Sequence, residues 1–205
     1  MKIAIVGGTG AFGRALAQRL CEIGDDEVVI GSRDAERAQA AADELGVAGG
    51  RNEDVVRDAD LVVLAVKSNA TLETAMDLAA AIGKTPVLSV ASDLRFTDDG
   101  VLPGKHQGSL AEEVARVVRA PVATGLQSFA AANVIDGDPG DALICGDDGE
   151  AKELALELAR RLSNRAIDVG PLANSRALEG MTAVILNVNR RYHAHAGIRI
   201  TGIPD

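Results

Sequence analysis

The chain has 205 residues, a formal charge of −9 and 47% hydrophobic residues, long enough to bury about 70% of its unfolded surface in one core without disulfide or metal staples. The acidic balance excludes duplex nucleic acid as a partner unless a basic patch is segregated, and three Phe, one Tyr and no Trp are too few for the stacking platforms of single-strand binders. No apolar run reaches the roughly 18 residues of a membrane span, the N-terminus runs into Gly7-Gly8 with no secretory cleavage pattern, and Cys21 and Cys145 stand far apart; these features predict a cytoplasmic protein with buried thiols, no metal, and no nucleic-acid or membrane partner.

Residues 3–6 are an apolar strand, and residues 13–23 carry Leu16, Leu20 and Ile23 at helical spacing. A strand at 27–30, a helix at 34–45, a short helix at 53–58, a strand at 61–66, a helix at 72–82 and a strand at 86–90 follow. Strand–helix alternation with fully apolar strands predicts a parallel sheet covered on both faces, with right-handed crossovers. Residues 93–108 read as loop. Ser109 with Glu112 three residues on is a capping box that opens a helix to about residue 118. Strands are predicted at 121–126, 142–145 and 166–169, and helices at 150–162 and 173–192, the last with Leu178, Met181, Ile185 and Val188 on one face. The expectation is a doubly wound α/β protein of the Rossmann type with a smaller C-terminal α/β cap. The division is placed at 1–130 for nucleotide binding and 131–205 for the smaller unit; whether the second half extends the sheet or caps it stays open.

The sharpest motif is Gly8-Thr9-Gly10-Ala11-Phe12-Gly13, between the first strand and the first helix. In that context each glycine has a task. Gly8 allows the tight turn, Gly10 lets a pyrophosphate approach the backbone, and Gly13 lets helix and strand pack closely. The helix N-terminus then supplies free N–H groups and partial positive charge to the anion.

The second strand ends in Ile30-Gly31-Ser32-Arg33 with no carboxylate at its tip, where an NAD enzyme carries an acid for the ribose 2′-hydroxyl. Ser32 can donate to a 2′-phosphate while Arg33 and Arg37 clamp it, so NADP is expected over NAD. Asp34 can cap the following helix.

A proton donor for alcohol or ketone chemistry is missing. Tyr192 has Ala196 four residues on, so there is no Tyr-x-x-x-Lys pair. His106, His193 and His195 fall in no triad or metal-ligand spacing. The sequence points to hydride exchange that leaves the work to positioning and cofactor electronics, with no catalytic residue of its own. Asp147-Asp148 reads as a cap for the next helix.

The chain resembles the coenzyme F-420-dependent NADP reductases over nearly its whole length. The resemblance is carried by Gly7-Gly8-Thr9-Gly10, Ile30-Gly31-Ser32-Arg33, Gly108-Ser109-Leu110-Ala111-Glu112-Glu113, Leu143-Ile144-Cys145-Gly146-Asp147-Asp148, the run from Asp168 to Arg176, Leu178-Glu179-Gly180-Met181-Thr182, and Leu186-Asn187-Val188-Asn189. It implies direct hydride transfer between nicotinamide C4 and C5 of an 8-hydroxy-5-deazaflavin. It also implies that NADP contacts Thr9, Gly10, Ala11 and Phe12 in the turn and Ser32, Arg33 and Arg37 at the 2′-phosphate. Val66, Ser68 and Ser92 would lie on the loops after the fourth and fifth strands. Gln127 to Ala131 and Asn187 would line the deazaflavin pocket. Some members have Pro-Trp where this chain has Lys67-Ser68, and a His-Thr pair where it has Gln127-Ser128.

Two rival readings share these features: an NADPH-dependent reductase of another flat acceptor, a flavin or an imine, and a non-catalytic NADP-sensing protein. The apolar face of the last helix suggests a homodimer. The basic run Arg190-Arg191-Tyr192-His193, with Arg199, reads either as cations at a helix C-terminus or as an anchor for the anionic tail of F-420.

Overall fold

The computed structural model describes residues 1–104 and 108–203; His106 lies outside the described residues. In chain order the elements are β1 (Lys2–Val6), α1 (Ala11–Ile23), β2 (Glu27–Ser32), α2 (Ala35–Leu45), β3 (Ala48–Arg51), α3 (Asn52–Val55), β4 (Leu61–Leu64), α4 (Ser68–Ile82) and β5 (Val87–Ser89). A hairpin of β6 (Leu94–Thr97) and β7 (Gly100–Pro103) follows, then α5 (Leu110–Val117), β8 (Val122–Gly125), α6 (Ala131–Asp136), β9 (Ala142–Gly146), α7 (Gly149–Leu162), β10 (Ala166–Asp168), a 3-10 turn (Leu172–Asn174) and α8 (Ser175–Tyr192).

One eight-stranded sheet runs in the order β10-β9-β8-β5-β4-β1-β2-β3. Its strands are parallel except where β9 meets β8, an antiparallel pair aligning Thr124 with Cys145. The question left open by the sequence is thereby answered: β9 and β10 extend the sheet, and β9 enters it reversed. The doubly wound α/β expectation holds.

Alternation along the strands sorts the core into two layers. Ile3 and Ile5 face α1, α2 and α7, with Leu16, Leu20, Ile30 and Leu158 fully enclosed. Ala4, Val6, Val62 and Leu64 face the opposite way, with Leu78 and Ile82 of α4 and Val114 of α5. A smaller cluster of Leu143, Cys145 and Leu178, with Met181 against it, seats α8 on β9. Val188, expected on that face, is 37% exposed.

Strand β3, helix α6 and the β6–β7 hairpin escaped the sequence. β3 reads Ala-Gly-Gly-Arg with no apolar signal, because α2 rides on it so closely that a Cβ at Gly49 would stand 2.6 Å from the carbonyl oxygen of Ala38. α6 is a six-residue helix with one buried residue, Val134, too short to show a period. The loop expected at 93–108 contains the β6–β7 hairpin, whose register pairs Phe96 with Val101 across the turn.

Candidate functional site

The strand order reverses between β1 and β4, so the loops after these strands leave toward opposite faces and open a crevice at their C-terminal ends. The loops meet at the bottom of that crevice. A Cβ on Gly7 would stand 2.8 Å from both the carbonyl oxygen of Ala65 and a methyl of Val66. Gly7 also has φ +84°, the left-handed region that glycine occupies freely. The tight-turn requirement therefore falls on Gly7 rather than on Gly8, whose missing side chain instead makes room for Ile30. Gly13 behaves as expected: a Cβ there would come to 2.6 Å from the Gly7 carbonyl oxygen.

The turn fits an anion. Gly10 is the N-cap of α1 with no side-chain cap bond, and the first turn of α1 holds no acidic residue. Its leading N–H groups thus have neither a side-chain acceptor nor a competing carboxylate. Gly10 and Ala11 are exposed and Thr9 is half-buried. Phe12 packs its ring against the core, so what it offers the turn is backbone.

At the end of β2, Ser32 is 8% exposed and its Oγ accepts from the backbone N–H of Asp34 at 3.2 Å. Its hydroxyl hydrogen has no acceptor among the described residues. Asp34 caps α2: its carboxylate accepts from the N–H groups of Glu36 and Arg37 at 3.0 and 3.2 Å. Arg14, Arg19, Arg160, Arg161, Arg165 and Arg199 each hold a carboxylate, whereas Arg33, Arg37 and Arg51 hold none among the described residues. Arg51 was missed by sequence reasoning. It is the register partner of Ser32 across the β2–β3 pair, and only an unpatterned strand carries it.

The far wall is a chain of hydroxyls. Ser92, on the loop after β5, lies 2.8 Å from Thr182 of α8. Thr182 Oγ1 donates to the backbone carbonyl of Gln127 at 3.2 Å, which leaves Ser92 to donate to Thr182. Gln127 follows β8 and is 8% exposed. Its Nε2 donates to Thr124 at 2.6 Å, while its Oε1 is buried with no partner among the described residues. Leu126 just before it has φ 66°, an unusual conformation for a leucine that turns the chain out of the sheet here. Val66 packs against the core layer below, Ser68 opens α4, and Ala131 opens α6.

Glu179 organises this wall from beneath. It is 4% exposed, and its carboxylate accepts from the N–H groups of Asp93, Leu110 and Ala111, each at 3.1 Å. One side chain thus ties α8 to the Ser92 loop and to the start of α5. Ser109 caps α5 and meets Ser175 of α8 at 2.5 Å. A signal for this tie exists in the sequence: Ser175, Glu179 and Thr182 recur at i, i+4 and i+7, a polar stripe beside the apolar one.

Asn187 sits further along α8. Both ends of its carboxamide engage the backbone of Val101 in β7, so it fixes the hairpin rather than presenting a free amide. Tyr192, His193 and His195 are exposed, and Tyr192 lies about 15 Å along the helix axis from Thr182. Cys145 is buried; desolvation, with the nearby Asp147 and Asp168 charges, pushes its thiol up to about 12. Asp148 caps α7 through Ala151 N–H at 2.9 Å, and Asp147 accepts from Leu172 N–H at 2.9 Å. Among the described residues no cluster of His, Cys, Asp or Glu could hold a metal ion.

Comparison with known proteins agrees with this geometry. The family described as "NADP oxidoreductase coenzyme F420-dependent" matches residues 2–93. The chain is 37% identical over 230 residues to the F420-dependent NADP reductase of Methanothermobacter marburgensis, covering 100% of both chains. It is 35% identical over 229 residues to that of Methanothermobacter thermautotrophicus, covering 100% of this chain and 97% of the relative. A crystal structure of a candidate F420-dependent NADP-reductase from Arthrobacter sp. FB24 has a TM-score of 0.86 at 25% identity, covering 98% of this chain and 100% of that one. A pyrroline-5-carboxylate reductase from Coxiella burnetii, at 16% identity and TM-score 0.66 over 93% of this chain and 70% of that one, shares the fold. The phosphate-binding turn, the cationic end of β2 and full-length similarity at this level lead to one conclusion: the chain belongs to the family of F420-dependent NADP reductases.

Proposed function

We propose that the protein transfers a hydride directly between NADP(H) and the deazaflavin coenzyme F-420. The observation that carries this reading is the asymmetry of the crevice. One end has the α1 N-terminus, without a side-chain cap, and Arg33 and Arg37, which hold no carboxylate among the described residues; the other has Ser92, Thr182 and Gln127, while Tyr192, His193 and His195 are exposed. Such a site can orient two rings and has little with which to shuttle a proton. The hydride is carried by the bound nicotinamide and deazaflavin.

The chain's own residues position them. Thr9, Ala11 and Phe12 hold the pyrophosphate through backbone N–H groups, Gly10, whose own N–H donates to the Gly7 carbonyl at 2.9 Å, lets it approach the backbone, and Ser32, Arg33 and Arg37 take the 2′-phosphate. Val66, Ser68 and Ser92 border the nicotinamide half. The orphaned Gln127 Oε1 accepts from a ring N–H of the deazaflavin, Ala131 borders that ring, and Asn187 acts on it by fixing the hairpin. Residues 1–130 supply the nucleotide site, and residues 131–205 complete the deazaflavin pocket.

The protein is further proposed to act in the cytoplasm as a homodimer, without nucleic acid. Val184 and Tyr192 on α8 and Phe96 on the hairpin are 61%, 72% and 73% exposed and supply apolar surface for a second copy. Among the described residues no helix is long and apolar enough to cross a membrane.

Mixing protein, NADPH and F-420 while following deazaflavin absorbance tests the reaction. Rapid bleaching is expected with F-420; bleaching of riboflavin or FMN alone would replace F-420 with another acceptor. Arg33→Ala should raise KM for NADPH far more than for NADH, and equal losses would count against the 2′-phosphate assignment.

A further inference from the structure

Gln127 leaves the sheet just past the C-terminal end of β8, and its backbone is fixed. Thr182 donates to its carbonyl at 3.2 Å, and the Phe129 N–H closes the turn around it onto the Leu126 carbonyl at 3.0 Å. What is left to orient is the side chain. Below it, four residues stand in register across the sheet: Leu64 on β4, Ser89 on β5, Thr124 on β8 and Cys145 on β9. All four are 0% exposed, so solvent does not compete for the hydrogen bonds made in this row.

A threonine hydroxyl has one hydrogen to give and lone pairs with which to receive. Thr124 gives its hydrogen to the backbone carbonyl of Ser89 at 2.7 Å. Toward Gln127 it can therefore only accept, and Nε2 of Gln127 donates to it at 2.6 Å. The reversed carboxamide would set two acceptor oxygens at that distance with no hydrogen between them. A backbone carbonyl on the neighbouring strand thus decides which way round the amide of Gln127 lies.

The consequence falls on the other arm of the carboxamide. Oε1 of Gln127 is buried with no partner among the described residues. With Nε2 committed to Thr124, this arm is an acceptor and cannot become a donor. A buried carbonyl left unmet costs free energy until a donor completes it.

We propose that Thr124 is a positioning residue that makes the second-ring subsite specific for an N–H. By holding Nε2, it fixes Oε1 as an acceptor that cannot turn. The proposal rests on the reading of F-420 as second substrate, and it adds the ring atom that is selected and the residue that sets the selection. An oxidised deazaflavin ring carries one N–H, at N3, between two carbonyl groups. Oε1 pairs with that hydrogen and repels either carbonyl, which holds the ring in one register. Without the Thr124 hydroxyl the carboxamide turns about its last bond, offers its amino side to a ring carbonyl, and the selection is lost.

Steady-state kinetics with NADPH, F-420 and an N3-methylated F-420 analogue test this. The wild-type protein is expected to prefer F-420 at least about tenfold in kcat/KM, because the methyl group replaces the hydrogen that Oε1 accepts. Thr124→Val, checked for folding by its melting curve, is expected to lose about tenfold on F-420 through KM, with the analogue and the KM for NADPH unchanged, so that the preference nearly vanishes. Thr124→Ser, which keeps the hydroxyl, is expected to retain the wild-type preference, and Gln127→Leu to lose it. Equal losses on both acceptors in a folded Thr124→Val, or an unchanged preference there, would overturn the positioning role and leave the F-420 reading standing. A wild-type protein that reduces F-420 without preferring it, or a preference that survives Gln127→Leu, would overturn Oε1 as the selecting atom. If the wild-type protein reduced neither acceptor, the F-420 reading itself would fall, and this inference with it.

Discussion

The hydroxyls of Ser92 and Thr182, 90 positions apart in the chain, lie 2.8 Å from each other. Because Thr182 donates onward to the Gln127 carbonyl, the proton order is fixed and Ser92 keeps its lone pairs for the crevice. Thr182→Val preserves the shape and removes both links. The expected result is a roughly tenfold fall in kcat with unchanged affinity for adenosine 2′,5′-bisphosphate, read by steady-state kinetics and calorimetry. A loss of nucleotide affinity instead would place the effect in the wrong half of the site.

Asn187 spends its carboxamide on Val101, accepting from the N–H at 2.9 Å and donating to the carbonyl at 2.7 Å. Asn187→Asp keeps the acceptor but sets a carboxylate against the carbonyl oxygen. Stability should drop by about 1–3 kcal/mol in urea unfolding. Hydrogen exchange should rise first in residues 94–103, before the sheet opens.

Gly13→Ala tests the nucleotide turn. The added methyl would meet only backbone, at 2.6 Å from Gly7 O and 3.0 Å from Gly8 Cα, so the turn itself must shift. NADPH affinity should fall by at least about tenfold, while Gly46→Ala, where a Cβ would meet nothing within 4 Å but φ is +69°, should cost only stability. Wild-type NADPH binding in Gly13→Ala would show that the turn does not hold the pyrophosphate.

Acid should release the C-terminal segment. Burial raises the Asp141 carboxyl, but the Arg165 guanidinium and the Ile200 N–H bonded to it outweigh burial and hold it below its ordinary 3.8. A carboxyl lowered in the native state contributes stability that is present above its unfolded value and lost as pH falls through the native one. The stability gap between wild type and Asp141→Asn should therefore be full at neutral pH and shrink as pH drops below 3.8. A gap that stayed constant across that range would refute the linkage.

The glycine turn and the β2 tip, proposed to hold the nucleotide, could be read because their physics is local. A strand, a glycine turn and a helix start lie within about a dozen consecutive residues, and the β2 tip with its arginines is contiguous. The far wall of the crevice could not, because Ser92, Gln127, Glu179 and Thr182 are joined only by the fold. Resemblance named Gln127 and Ser92, but neither spacing nor composition places Thr182 on them. Strand β3 was lost for another reason: α2 packs down upon its glycines, so it has no hydrophobic signature. The hairpin was lost because its strands are half-exposed and short. The reversed entry of β9 was beyond reach, since a buried apolar pentapeptide reads the same in either direction.

Helix α8 is fastened along its whole length: at Ser175 and Glu179 to α5, at Thr182 to the crevice, at Asn187 to the hairpin, and past its end through Asn189 to Ala196 and through Ile200 to Asp141. A rod moored at so many stations is a girder and cannot swing as a door. The crevice wall proposed to receive the second ring is therefore cast during folding, and a ring docking there would spend little of its affinity on ordering it.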